Sequence, residues 1–77
     1  MKTTLNKIKP NQICKLQSLN ITGNLKYRLL DMGLVPNTKI KLIKTAPLGT
    51  PLQIELRNYN LSIRKETAQK IQVEVIP

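Results

Sequence analysis

The chain contains no histidine, no tryptophan, no phenylalanine, a single cysteine, three glycines and only four acidic residues. Without histidine it lacks the commonest general base and the commonest transition-metal ligand. Asp31, Glu55, Glu66 and Glu74 are scattered along the sequence. One thiol and isolated carboxylates make a poor transition-metal site. A serine or threonine with no base beside it is not a nucleophile, and there is no GxGxxG or phosphate-binding glycine loop. No enzymatic activity and no cofactor are therefore expected. Cys14 has no partner for an intrachain disulfide, and its apolar surroundings make it a small core residue. No apolar run approaches the roughly 20 residues of a membrane span. The opening MKTTLNKIKP lacks the apolar stretch of a signal peptide, so a cytoplasmic location is expected.

What remains is a basic chain of 77 residues rich in leucine, isoleucine and lysine, with a formal charge of +9. The length implies one domain over residues 1–77, with residues 1–11 a weakly structured segment held by Leu5 and Ile8. A domain of this size buries only about 60% of its unfolded surface. The charge points to an anionic partner, whether nucleic acid, an anionic membrane surface or an acidic protein face, or else serves solubility. The basic residues are dispersed and no aromatic platform accompanies them, so nucleic acid is not the expected partner.

Ile13 to Leu19 forms the first strand candidate. Thr22 or Asn24 can cap a helix over about residues 23–32, with Leu25, Leu29 and Met32 on one face. Gly33 supplies the left-handed residue that stops a helix, which lets Leu34 fold back onto Leu29. Strands follow with period two: Ile40 and Leu42 against Lys39 and Lys41, then Leu52, Ile54 and Leu56 against Gln53, Glu55 and Arg57. Leu61 and Ile63 alternate with Ser62 and Arg64, and Ile71, Val73 and Val75 with Gln72 and Glu74. Ile43 breaks the alternation, as a bulge or barrel corner does. Residues 65–70 leave room for one helical turn. Asn11, Asn37, Asn58 and Asn60 stand where reversals are expected, because asparagine tolerates positive φ. The fold class is all-β with minor α: a small closed barrel of about five strands, which leaves no free edge, with the helix inserted after the first strand.

Two surfaces are candidates for contact with a partner. Tyr27, Leu30 and Leu34 form a second apolar stripe roughly opposite Leu25 and Leu29, which either packs in a crevice or docks another molecule. Pro47, Leu48, Gly49, Thr50 and Pro51 form a rigid hairpin turn, or a preformed contact loop displaying Leu48.

These residues together resemble the FeoA family of small proteins associated with bacterial ferrous iron uptake. Its first block is matched by Arg28, Leu29, Met32, Gly33, Leu34, Pro36 and Thr38. Ala46, Pro47, Leu48, Gly49 and Pro51 match the second, and Leu61, Ile63, Arg64, Glu66, Ala68, Ile71 and Val73 the remainder. The similarity runs in order over about residues 13–76. The family's Gly after Pro36 is Asn37 here, its turn Gly before Leu61 is Asn60, and the Asp between Gly49 and Pro51 is Thr50. The resemblance implies an SH3-like barrel and a non-enzymatic cytoplasmic accessory that binds and modulates FeoB, the membrane transporter with a GTPase domain. It also implies recruitment to the inner membrane by that partner, and it implies no iron site in this chain. The alternatives are a small basic barrel that binds nucleic acid, or an SH3-like regulatory module related to the C-terminal domain of iron-dependent repressors.

Overall fold

A computed structural model describes residues 1–77. Strand β1 (Lys2–Thr4) leads through a 3₁₀ turn (Leu5–Lys7) to β2 (Ile13–Leu19) and helix α1 (Asn24–Asp31). Then come β3 (Lys39–Thr45), β4 (Leu52–Leu56), β5 (Tyr59–Ile63), the one-turn helix α2 (Lys65–Ala68) and β6 (Ile71–Ile76). No helix is long and apolar enough to cross a membrane.

All pairings are antiparallel and the strands form one sheet in the order β1-β6-β2-β3-β4-β5. The period-two patterns place Cys14, Leu16, Ile40, Leu42, Ile54, Ile71 and Val73 on the inner face, where each is fully buried. The five expected strands are β2 to β6. A sixth comes from the N-terminal segment, which is not weakly structured: it pairs with β6 and drives Leu5 and Ile8 into the core. The polar run Lys2-Thr3-Thr4 hid this strand, since it offers no apolar alternation. Ile43 is the extra residue at a register shift between Leu42 and Lys44, as its break in alternation requires. A second shift lies between Leu16 and Ser18.

The end of α1 is the most fully determined part of the chain. Gly33 has φ +101°. Its N–H donates to the Leu30 carbonyl at 3.0 Å, and the Leu34 N–H donates to the Leu29 carbonyl at 3.0 Å. These two bonds define a Schellman ending, which satisfies carbonyls that the helix would otherwise leave orphaned. Asn37 (φ 72°) turns the chain next. The Asn37 N–H donates to the Leu16 carbonyl at 2.8 Å, and the Leu16 N–H to the Thr38 carbonyl at 2.9 Å, which attaches the helix end to β2. Thr38 is the one buried polar residue, and its hydroxyl donates to the Gly33 carbonyl at 3.2 Å.

Three turn details differ from expectation. Neither Thr22 nor Asn24 caps α1; Gly23 occupies the cap with no side-chain hydrogen bond, at φ 77° and ψ −157°, a region open almost only to glycine. The β4–β5 hairpin turns at Arg57 (φ 48°) and Asn58 (φ 72°), while Asn60 lies within β5. Two consecutive positive φ values form the turn whose twist matches that of the flanking strands, so the twist forces an arginine into the left-handed region. Finally, the sheet does not close on itself. β1 and β5 are both edges.

Gly33 is constrained by space as well as by φ. A Cβ there would meet the Tyr59 hydroxyl at 3.2 Å and Arg57 Cδ at 3.6 Å. Gly33→Ala is expected to cost about 1–3 kcal/mol, from strain at positive φ and the Tyr59 approach. A urea midpoint that falls without a change in slope is the signature.

Candidate interaction groove

The missing closure leaves a groove of about 470 Å³ between α1 and the β5–α2 segment. Leu25, Leu29 and Met32 line it from the helix, and Leu61 and Ile63 from β5. Arg28, Ser62, Arg64 and Thr67 complete it. Five of its nine lining residues are apolar, two are arginines and none is acidic. The helix contributes positions i, i+4 and i+7, one face of a 3.6-residue period. The strand contributes i and i+2, one face of the pleat.

The stripes expected on α1 are therefore reassigned. Leu34 is 0% exposed, because the reversal at Gly33 inserts it into the core, so it cannot contact a partner. Leu30 is half-buried. Tyr27 is 65% exposed, on the side away from the groove. The stripe of Leu25 and Met32 stays partly open, at 41% and 37%, with Leu29 buried between them. The groove residues Arg28, Met32, Leu61 and Arg64 were missed as a site. The helical spacing of Leu25, Leu29 and Met32 and the alternation of Leu61 and Ile63 are legible in the sequence, but that the two face each other is not.

The Pro47–Pro51 loop is a separate projection. The Gly49 N–H donates to the Ala46 carbonyl at 2.8 Å, and Gly49 has φ +84°. With Pro47 at the second position and no positive φ at Leu48, this is a type I turn. Leu48 is 89% exposed. The Thr50–Pro51 peptide bond is cis. Thr50 faces inward on the loop, where its hydroxyl accepts the Lys65 N–H at 3.1 Å and ties the loop to the first residue of α2. A hydroxyl there retains the acceptor that an aspartate would offer. Pro47, Gly49 and Pro51 shape the turn; Leu48 is the side chain it presents. The Thr50–Lys65 bond places this loop beside the α2 end of the groove, although neither Leu48 nor Tyr27 lines it.

No three of the His, Cys, Asp and Glu side chains converge. Cys14 is buried in β2, and burial pushes its thiol from 9.0 up to about 11.

The architecture defines a small SH3-like β-barrel, open at one seam, whose distinguishing feature is a cationic, apolar groove. The model of the FeoA domain matches residues 3–75, and the chain belongs to that family. Over 54 residues it is 41% identical to the Fe(2+) transport protein A/Fe(2+) transporter FeoB fusion protein of Porphyromonas gingivalis, covering 70% of this chain. It spans only 6% of the length of that fusion protein. The solution structure of iron(II) transport protein A from Clostridium thermocellum superposes with a TM-score of 0.91 at 34% identity, over 96% of this chain and 46% of that one. The crystal structure of Stenotrophomonas maltophilia FeoA, described as a prokaryotic SH3 domain protein, shares the fold with a TM-score of 0.80 at 20% identity, over 94% and 89% of the two chains.

Two measurements check these assignments. Leu34→Ala is expected to destabilise by about 3 kcal/mol through the cavity it opens, whereas Leu48→Ala stays within about 0.5 kcal/mol of the parent. The second concerns Cys14. Between pH 9 and about 11 the folded chain keeps a thiol proton that the unfolded chain releases. The unfolded state then binds fewer protons, so this contribution to stability falls as pH rises through that window. The stability gap between the parent and Cys14→Ala should narrow by roughly 2 kcal/mol from pH 8 to 11 in urea titrations.

Proposed function

We propose that this chain is a non-enzymatic accessory of ferrous iron uptake that binds the cytoplasmic region of an FeoB-type transporter and modulates it. The observation that carries this reading is the Porphyromonas gingivalis relative, in which a segment 41% identical to this chain is joined to an FeoB transporter in one polypeptide. Domains fused in one organism commonly act on each other when encoded apart, and fusion replaces the affinity that separate chains need with high effective concentration.

The groove supplies the means. Apolar anchors at Leu25, Met32 and Leu61 bury area on docking, and Arg28 and Arg64 favour an acidic partner segment. The formal charge of +9 steers the chain toward an acidic protein face or the anionic inner leaflet beside it. Tyr27 and Leu48 are secondary contact candidates on other sides of the domain. Iron in this reading is handled by the transporter, and the chain acts through contact alone.

The test uses purified chain and detergent-solubilised FeoB-type transporter from the same organism. Wild-type chain is expected to bind, and the double variant Arg28→Glu/Arg64→Glu to bind at least tenfold more weakly, with Leu48→Ala and Tyr27→Ala changing affinity less. Absence of binding by the wild-type chain in every nucleotide state of the transporter would overturn the reading.

A further inference from the structure

β5 is an edge strand that carries none of the protections a strand's own sequence can supply. Edges in soluble proteins are blunted by lysine, proline, bulges or very short length. The opposite edge, β1, has three residues and carries Lys2. β5 has five residues, Tyr-Asn-Leu-Ser-Ile, with no charge and no proline, in a chain with thirteen basic residues. Its pairing with β4 is regular throughout, with no register shift to twist the edge away.

The hairpin fixes which backbone groups are free. Leu56 and Tyr59 face each other across the two-residue turn, and such a turn is closed by a hydrogen-bonded pair. The ladder then alternates, so Tyr59, Leu61 and Ile63 bond to β4 while Asn60 and Ser62 point their N–H and C=O groups outward. None of residues 59–63 takes part in any backbone hydrogen bond outside the sheet. Ser62 also lines the groove, whose far wall is α1, and Asn60 lies two residues nearer the hairpin.

We infer that the groove takes one extended segment of a partner, bound by strand addition to β5, with apolar side chains entering between Met32 and Leu61 and carboxylates meeting Arg28 and Arg64. The occupant is an acidic peptide of alternating apolar residues. Main-chain bonds to Asn60 and Ser62 supply affinity and direction, and the alternate side chains supply specificity. Charge complementarity selects this occupant, since two guanidinium groups and no carboxylate line the groove. The inference rests on the contact role proposed above and specifies how contact is made.

The probe is the blocked peptide acetyl-Glu-Val-Glu-Val-Glu-Val-amide, added to the full chain at 150 mM salt, with amide hydrogen exchange as the readout. Exchange at Asn60 and Ser62 is expected to slow at least tenfold, while the Lys analogue of the peptide gives no protection. Ser62→Pro removes one outward N–H, a change that an edge strand tolerates. It should leave the thermal midpoint near that of the parent and weaken peptide binding at least tenfold. Ser62→Ala, which removes only the hydroxyl, should bind like the parent. Three results would overturn the inference: no binding at millimolar peptide, binding without protection of those two amides, or protection that appears with protein concentration alone and marks a second copy as occupant. Transporter binding that survives Ser62→Pro unchanged would overturn strand addition and leave the accessory role standing. Peptide binding as expected, with no affinity for the transporter, would overturn the accessory role instead.

Discussion

The left-handed reversal at Gly33 is the constraint on which the rest of this domain depends. It ends α1, satisfies two helix carbonyls and sends Leu34 into the core. Thr38 then returns a hydroxyl to the Gly33 carbonyl, and the bonds between Leu16 and residues 37–38 fix the start of β3 against β2. From the other side, Tyr59 and Arg57 approach within contact distance of where a Gly33 Cβ would stand. One residue without a side chain thus sets the distance between the end of α1 and the β4–β5 hairpin.

The groove and the open seam are two views of the same event. A barrel that closed β5 onto β1 would pair the outward backbone groups of β5 with another strand. Here a helix inserted between β2 and β3 stands opposite β5 at a distance that leaves room for something else. The surface so created combines apolar area, cationic rims and unpaired main-chain groups, which is the combination that peptide-binding domains use. No three metal-ligating side chains converge, and burial suppresses the ionisation of Cys14.

Much of the fold was legible because it rests on local rules. The alternation in β3 to β6, the bulge at Ile43 and the Schellman ending each depend on a few neighbouring residues. The turns were read less well. Asn60 was expected to turn the chain and Arg57 was not, because strand twist, a tertiary property, chose the position of the hairpin. Gly23 was read as a neighbour of the cap when it is the cap itself. β1 was missed because a polar strand at an edge has no face that must be apolar. In the site, Leu34 was misassigned by extending helical spacing past Gly33, where that spacing no longer holds. Arg28 and Arg64 were seen only as parts of a motif, since nothing in the sequence places them across a groove from each other.

The sequence by itself determined the inner faces of β3 to β6, the end of α1 and the family. Composition, period and turn residues act over a few positions and need no knowledge of the whole. Only the tertiary structure decided that the sheet stays open, that β5 is an unguarded edge and that α1 shows Leu25 and Met32 where Leu34 was expected. These follow from which strands meet after the chain has closed around its core. Pairing between residues far apart in sequence leaves no periodic trace in either partner.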